Sequence, residues 1–264
     1  MVRCSNVKAL ALLAVMLAPH CSAFRGGGFP AAAASVTGYG QAVLADSTGL
    51  VSFWPMYEAS GTTNTDVVSG YTLTVGANAT LNKASIITDG EGRSEEIDTS
   101  MEDGNQGNSE RADTNQLDIG AAGCIAFWYY KPADCGDLSG AFSRDNGTTS
   151  RFLLYFNASA SNPICIFSNA GGNACGTGIT WGGFHLIVAA WTGSTFEIDV
   201  DGANALTIGD FVAPSACDTE VAVGHYWRHG SAEQGCDNER IQGVAFWNVY
   251  KNSTQRTALW TASQ

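Results

Sequence analysis

Hydrophobic residues in this chain occur in short runs that are separated by turn-forming residues. The runs are rich in Val, Ile, Phe, Tyr and Trp, and each is bounded by Gly, Asn, Asp, Ser or Pro, which is typical of β-strands joined by turns. Three long examples are CIAFWYYKP (124–132), GFHLIVAAWTG (183–193) and IQGVAFWNVYK (241–251). The pattern predicts an all-β protein, a two-sheet antiparallel sandwich, with one short C-terminal helical turn capped by Ser253 or Thr254.

The stretch TFEIDVDGANAL (195–206) shows how one of these strands is expected to end. Phe196, Ile198 and Val200 alternate with acidic residues, so we expect one face of the strand in the core and the other in water. The Asp-Gly pair that follows is a strong hairpin signal, because glycine accepts the positive φ that a tight turn needs. The stretch therefore predicts a strand followed by a turn.

The acids of this stretch also raise two chemical alternatives. A glycosidase would use Glu197 and Asp201 as its carboxyl pair, but Asp201 is one methylene too short and falls at the turn. We therefore predict no catalytic residue and no enzymatic activity. Asp199 and Asp201 are candidates for binding Ca²⁺, the one cofactor that the sequence suggests. His185 lies among apolar neighbours, so we expect a packed, hydrogen-bonded side chain rather than a base.

The N-terminal residues have the composition of an export signal. Basic residues precede the apolar run ALALLAVMLAP, and small residues follow it, as in a secretory signal peptide over residues 1–23. Residues 24–44 are rich in Gly and Ala and nearly uncharged, which favours an extended arm ahead of a domain at 45–264. The apolar residues that would let this arm lie as a strand in a groove are Val36, Tyr39, Val43 and Leu44.

Charge and cysteine usage agree with an extracellular location. The net charge of −12 disfavours nucleic acid and anionic membranes as partners, because both would be repelled. Two of the eight cysteines lie in the signal peptide, and the even number that remains predicts disulfides in an oxidising compartment. Sequential neighbours are expected to pair, most clearly across the turn at IFSNAGGNA. The remaining cysteines are Cys124, Cys135, Cys165, Cys175, Cys217 and Cys236.

Secretion also bears on the Asn-x-Ser/Thr sequons of the chain. Those without proline would carry N-glycans if the host is a eukaryote. The predicted glycosylation sites are Asn78, Asn146, Asn157 and Asn252.

Five segments, in this order along the chain, resemble laminin-G-like, concanavalin-A-like jelly-roll domains. The resemblance implies a jelly roll of two antiparallel sheets, and it implies ligand binding, adhesion or a structural role outside the cell. The segments are DSTGLVSFWPMYEASGTTNTDVVSGYTLTV (46–75), LDIGAAGCIAFWYYKP (117–132), SRDNGTTSRFLLYFN (143–157), WGGFHLIVAAWTGSTFEIDVDG (181–202) and GVAFWNVYKNSTQRTALW (243–260).

Three hypotheses about function follow from these features. The arm favours a structural subunit of an extracellular assembly, in which residues 24–44 add a strand to the open sheet edge of another copy. The alternative is a carbohydrate-binding or adhesion module, whose site would be the aromatic and cationic cluster of Tyr226, Trp227 and Arg228. The expected partners are copies of the same chain or extracellular glycans. A jelly-roll glycosidase is the third hypothesis.

Overall fold

Alternating apolar side chains on paired strands build two sheets. A computed structural model of the chain describes residues 38–76, 79–87, 93–97, 109–111, 117–133, 139–145, 151–157, 164–168, 172–214, 221–224 and 238–264, and all of them belong to one unit, Ala34–Gln264. In chain order, the described elements are α1 (Gly38–Ala45), β1 (Leu50–Trp54), β2 (Thr63–Asn64), β3 (Leu73–Val75), β4 (Ala79–Ala84), β5 (Arg93–Ile97), β6 (Ser109–Arg111), β7 (Gly123–Tyr130), β8 (Ser139–Asp145), β9 (Arg151–Phe156), β10 (Ile164–Ser168), β11 (Gly172–Gly176), β12 (Phe184–Trp191), β13 (Thr195–Val200), β14 (Ala203–Gly209), β15 (Val221–Val223), β16 (Glu239–Trp247) and α2 (Ser253–Ala262).

Each sheet contains strands that are distant in the sequence. The first sheet has the order β14–β13–β12–β7–β16–β5–β4, and β1 also pairs with β16. The second sheet has the order β11–β10–β9–β8–β15–β6–β3–β2. Every pairing in the described part of the chain is antiparallel. The predicted all-β, two-sheet antiparallel sandwich is therefore confirmed.

The main core lies between the two sheets and is rich in aromatic rings. Phe152 of the second sheet packs with its ring centroid 5.2 Å from that of Trp191 in the first sheet. Phe142 of the second sheet stacks nearly parallel on Phe246 of the first sheet, with the ring centroids 6.3 Å apart. Glycine is needed at position 123, because a Cβ there would lie 2.2 Å from the Trp191 ring. This close packing explains why the aromatic runs of the sequence are strands of the core.

Strands β7 and β12 are buried on both of their faces. In β7, Ile125 and Phe127 belong to the main core, whereas Ala126 and Trp128 belong to a second apolar cluster. This second cluster lies on the outer face of the first sheet, the face turned away from the second sheet. Helices α1 and α2 contribute to it with Tyr39, Val43 and Leu259. Neither of the two described helices is long and apolar enough to cross a membrane.

Helix α1 replaces part of the predicted extended arm. Tyr39 and Val43 are four residues apart, so a helix places them on one face, and both are fully buried in the second cluster. The Tyr39 hydroxyl donates a hydrogen bond of 2.9 Å to the carbonyl of Gly243. Leu44 is partly exposed, and Val36 lies outside the described residues. The prediction of an extended strand at Tyr39, Val43 and Leu44 is therefore wrong, because these residues form a helix whose buried face packs on its own domain.

The C-terminal helical turn is present, but its cap differs from the expected one. Helix α2 is capped by Asn252, whose side chain accepts a hydrogen bond from the amide of Gln255, and the Gln255 side chain accepts one from the Asn252 amide. This reciprocal arrangement satisfies two amides that have no partner within the helix. Ser253 and Thr254 lie one and two residues too far along the chain to do so.

The acidic face of β13 is covered by α2 and does not face water. Arg256 donates from Nε to Asp199 at 2.6 Å and from Nη1 to Glu197 at 3.0 Å. Asp199 is only 3% exposed. The expected solvated face is thus wrong, because the C-terminal helix folds back over it. The expected hairpin is present, since Asp201 and Gly202 both have positive φ, 52° and 76°.

One predicted disulfide is present and one predicted disulfide cysteine is free. Cys165 and Cys175 are directly opposite each other on β10 and β11 and are bonded. Cys124 is a buried free thiol, so its predicted pairing is wrong. Its side chain points into the apolar cluster under the helices, and burial raises the pKa of the thiol. Cys135, Cys217 and Cys236 lie outside the described residues.

We expect Arg256→Ala to destabilise the protein strongly. Asp199 would remain buried without its guanidinium partner, and removing one member of a buried ion pair costs about 3–5 kcal/mol. The free energy of unfolding, measured by urea denaturation, tests this. Thr257→Ala, at an exposed position of the same helix, is the matched control and should change stability by less than about 0.5 kcal/mol. Equal stability of the two variants would contradict the role of Arg256.

Removing the disulfide is expected to lower the free energy of unfolding by less than Arg256→Ala does. The bond closes a loop with a sequence separation of 10 residues, and loops of this size contribute about 2–3 kcal/mol. The double variant Cys165→Ala/Cys175→Ala should lose this amount in the same urea experiment. Cys124→Ala removes a buried sulfur without opening a loop and should have a smaller effect. A larger loss for Cys124→Ala than for the double variant would refute this assignment.

Candidate functional site

Charged and aromatic residues meet at one end of the sandwich, where β7 ends and β8, β12 and β16 begin. Tyr130 lies opposite Phe184 of β12 on one side and opposite Arg240 of β16 on the other. Ser139, the first residue of β8, is hydrogen-bonded to Glu239, the first residue of β16. We call this the Glu239 end. The register of four strands, rather than nearness in sequence, brings these side chains together.

A buried polar cluster anchors the Glu239 end from inside. Glu239 accepts hydrogen bonds from Ser139 Oγ at 2.5 Å and from Lys131 Nζ at 3.3 Å, and the Tyr129 hydroxyl hydrogen-bonds to Ser139. All four residues are almost fully buried. Burial raises the pKa of Glu239, and the nearby charge of Lys131 only partly opposes that rise. Because the cluster is closed to solvent, we assign it a structural role, the holding of strand ends in register.

Trp181 extends this cluster to the surface. Its ring lies 5.3 Å from Lys131 Nζ and packs edge-on against Phe156, with the ring centroids 6.1 Å apart. The amide of Gly182 donates to the carbonyl of Lys131 at 2.8 Å, which fixes the turn that carries the ring. The indole is only partly buried. It is therefore a rigid, half-exposed aromatic surface beside a cation.

A second aromatic surface lies on the outer face of the first sheet. Phe184 is 46% exposed, and its ring centroid is 5.1 Å from that of Tyr130. The guanidinium of Arg240 lies over the other side of Tyr130, 5.8 Å from the ring centroid. We call Phe184, Tyr130 and Arg240 the aromatic row. Aromatic faces flanked by a cation are suited to stacking against planar or amphipathic ligands.

His185 adjoins the aromatic row and is fully engaged in hydrogen bonds. Its Nδ1 lies 2.7 Å from Asp201 Oδ2 and its Nε2 lies 2.9 Å from the carbonyl oxygen of Thr180. Burial lowers the pKa of His185, but the hydrogen bonds to Asp201 and Thr180 outweigh burial and raise it above 6.5. The prediction of a packed, hydrogen-bonded histidine is confirmed. The residue orients the β13–β14 hairpin rather than acting as an exposed base.

The acids considered for catalysis and for calcium are engaged elsewhere. Glu197 accepts hydrogen bonds from the Tyr250 hydroxyl and from Arg256. Both oxygens of Asp199 accept hydrogen bonds from Arg256, and Asp201 binds His185 and the Leu186 amide. The side chains of Asp199 and Asp201 are therefore engaged within the protein, and calcium binding by them stays an untested prediction. Among the described residues, no group of His, Cys, Asp and Glu is placed to hold a metal ion.

The other predicted site residues divide into described and undescribed positions. Asn252 is exposed and Asn157 is half-buried, whereas Asn78 and Asn146 lie outside the described residues. Tyr226, Trp227 and Arg228 also lie outside them. Gly224, which leads into that segment, donates a hydrogen bond to Ala141 of β8 at 2.8 Å.

Sequence reasoning did not single out the residues of the Glu239 end. A signal was present, since Lys131 directly follows an apolar run and Glu239 closely precedes another. Charged residues at such positions are common, however, and only strand pairing shows that these two meet. Phe184 and Tyr130 lie in runs that predict strands, and the runs alone do not show which side chains are exposed. Their exposure depends on where the helices stop covering the sheet.

Several solved structures share this fold. A sialidase from Trypanosoma rangeli, in complex with sialic acid, matches with a TM-score of 0.59 and 15% identity over 81% of this chain and 33% of that chain. The botulinum neurotoxin serotype D ligand-binding domain, in complex with N-acetylneuraminic acid, has a TM-score of 0.60 and 10% identity over 83% of this chain and 52% of that chain. Domain 4 of a GH43 extracellular arabinanase from Geobacillus stearothermophilus, in complex with arabinotriose, has a TM-score of 0.56 and 13% identity over 81% of this chain and 98% of that chain.

These likenesses establish the class of fold, an antiparallel β-sandwich that also occurs in carbohydrate-binding and carbohydrate-hydrolysing proteins. The chain spans about a third of the sialidase chain and about half of the toxin domain. No protein-family model matches the sequence, and no curated protein matches it either. The comparisons thus support a jelly-roll-like β-sandwich fold, and they give no laminin-G match.

The comparisons also correct one prediction. The sequence indicated a protein without enzymatic activity, and this is contradicted because the structural neighbours include a sialidase and a domain of an arabinanase. Catalysis therefore belongs among the properties to be measured.

We expect Asp201→Asn to lower the pKa of His185. The substitution removes the negative charge beside Nδ1, while asparagine tolerates the positive φ of the turn and keeps an oxygen for the Leu186 amide. NMR titration of the His185 ring protons in both proteins tests this. In the native protein the pair stabilises the fold fully below pH 6.5, the ordinary pKa, and this contribution is lost as the pH rises through the higher folded pKa. An unchanged pKa in the variant would show that Asp201 is not its cause.

Proposed function

We propose that this protein is an extracellular glycan-binding β-sandwich whose binding surface lies at the Glu239 end. The observation that carries the proposal is a pair of aromatic surfaces there: Trp181, which is partly buried and packs beside the buried Lys131, and Phe184, which is 46% exposed and packs against Tyr130. The proposal is supported by a fold shared with proteins solved in complex with sialic acid, N-acetylneuraminic acid and arabinotriose.

The chemistry of these aromatic surfaces suits sugars. A sugar ring has an apolar face of C–H groups and an edge of hydroxyl groups, so it matches a ring that stacks beside polar donors. Arg240 is a cation held beside Tyr130, whereas the buried Lys131 supports the Trp181 ring from within the protein. The buried cluster around Glu239 holds both surfaces rigidly, which lowers the entropy lost on binding.

Glycan binding takes precedence over the assembly function that the arm suggested. Strand addition through residues 38–44 would require helix α1 to unwind and expose Tyr39 and Val43, which are fully buried in their own domain. Burying two such side chains contributes about 1.5–3 kcal/mol each, and an assembly contact would first have to replace this. The described part of the arm therefore supports the domain to which it belongs.

Secretion is part of the proposal. The Cys165–Cys175 bond is typical of oxidising compartments, and the export signal predicted at residues 1–23 agrees with it. Occupied sequons at Asn157 or Asn252 would place the protein on the eukaryotic secretory route. Extracellular glycans are consequently the accessible ligands.

A glycan array with the full mature chain tests the function. We expect binding to a defined set of glycans, and a loss of about tenfold or more in affinity for Trp181→Ala, because the stacking face is removed. The matched control is Val212→Ala, which removes a side chain that is 50% exposed near Ser168, at the opposite end of the sandwich. Sugar release from the bound glycans is measured in the same samples.

The array distinguishes a glycan-binding site at the Glu239 end from the absence of glycan binding. Binding that is weakened by Trp181→Ala but not by Val212→Ala supports the site, with or without sugar release. If Trp181→Ala unfolds, as judged by circular dichroism, Phe184→Ala at an exposed position replaces it. Absence of binding to every glycan on the array would overturn the proposal.

A further inference from the structure

We infer that the outer face of the first sheet binds a neutral oligosaccharide lying across the strands, along the line from Phe184 through Tyr130 and Arg240 to Thr80. This inference rests on the proposed function and deepens it. It specifies a chain of sugars rather than a single terminal sugar, and a neutral ligand rather than an acidic one.

The strand register places these residues on one straight line. Phe184 lies opposite Tyr130, Tyr130 opposite Arg240, Arg240 opposite Glu96, and Glu96 opposite Thr80. Directly paired residues of antiparallel strands share a face of the sheet. With neighbouring strands 4.7–4.9 Å apart, four steps cover about 19 Å. This length exceeds one sugar ring and suits an extended oligosaccharide.

The line is accessible at Phe184 and Tyr130, because the helices cover the outward side chains of β7 only as far as Trp128. Along β7, the outward side chains of Ala126 and Trp128 are buried in the apolar cluster under the helices, and Trp128 packs against Trp260 of α2, with centroids 5.9 Å apart. Tyr130, the next outward residue, is only partly buried. Glycine at position 202 lets Trp260 of α2 pack closely against the β13–β14 turn, because a Cβ there would lie 2.6 Å from the Trp260 ring. The helix therefore forms a wall beside the line instead of a lid over it.

The make-up of the line favours a sugar chain over a protein partner. A stable protein interface buries about 800 Å² on each partner around an apolar centre, whereas Phe184 is the one strongly exposed apolar side chain among the described residues of this line. The remaining positions offer the half-exposed Tyr130, the guanidinium of Arg240 and the exposed Thr80. The rings match the apolar C–H faces of a sugar chain, and the polar groups match its hydroxyl groups.

Charge selects a neutral glycan. The chain carries a net charge of −12, so a polyanionic glycan would be repelled as it approaches. Arg240 is the one basic residue among Phe184, Tyr130, Arg240 and Thr80, and a single cation offsets little of this negative charge.

Isothermal titration calorimetry with the full mature chain tests the inference. The probes are neutral arabino-, xylo-, cello- and manno-oligosaccharides from monosaccharide to pentasaccharide, together with sialyllactose and a sulfated oligosaccharide. We expect affinity for one neutral series to rise with chain length, and sialyllactose and the sulfated probe not to bind. Phe184→Ala should weaken the longest probe about tenfold, because a stacking ring is lost. Thr80→Ala should weaken long probes and leave short ones unchanged.

Failure of this inference and failure of the glycan-binding function give different results in the experiment. Val212→Ala should bind as the native protein does, and circular dichroism checks that each variant is folded. Equal affinity for monosaccharide and pentasaccharide, or binding limited to sialyllactose or the sulfated probe, would overturn the inference and leave the glycan-binding function standing. Sensitivity to Trp181→Ala with no effect of Phe184→Ala would move the site away from this line. Self-association that Phe184→Ala abolishes, seen by sedimentation without glycan binding, would overturn both.

Discussion

Strands β7 and β12 bury side chains on both of their faces, so the first sheet requires a cover on its outer face as well as a partner sheet. The helices α1 and α2 provide this cover from opposite ends of the chain, and they meet the same apolar cluster through Tyr39, Val43 and Leu259. The C-terminal helix is held by Arg256, which neutralises the buried Asp199 and binds Glu197. Without these contacts the sheet would expose a large apolar surface to water.

The same constraint determines where a ligand can bind. Where the helices lie, the outer face is closed, and where α2 ends beside Trp128, the sheet becomes accessible at Tyr130 and Phe184. The buried cluster of Lys131, Ser139 and Glu239 fixes the strand ends beneath these rings. A surface that is rigid before the ligand arrives loses little entropy on binding. Under the proposed function, stability and recognition are therefore coupled at the Glu239 end.

A shared fold does not by itself assign a shared activity, because β-sandwiches carry many unrelated sites. The neighbours of this chain include a sialidase, a toxin binding domain and a domain of an arabinanase, which differ in what they do. The aromatic and cationic residues of this particular chain carry the argument for glycan binding. Glu197 and Asp201, the acids considered as a glycosidase pair, are instead hydrogen-bonded to Arg256 and His185, respectively.

Sequence alone determined the fold class, because the alternation of side chains and the turn residues are local properties. The Asp201–Gly202 hairpin and the hydrogen-bonded His185 were predictable for the same reason, as was the bond between Cys165 and Cys175 across a short turn. Tertiary structure decided the rest. The burial of Tyr39, the free thiol of Cys124 and the covering of Asp199 depend on helices packing onto strands from distant parts of the chain. The Glu239 end and the aromatic row depend on strand order and register, which no short stretch of sequence encodes.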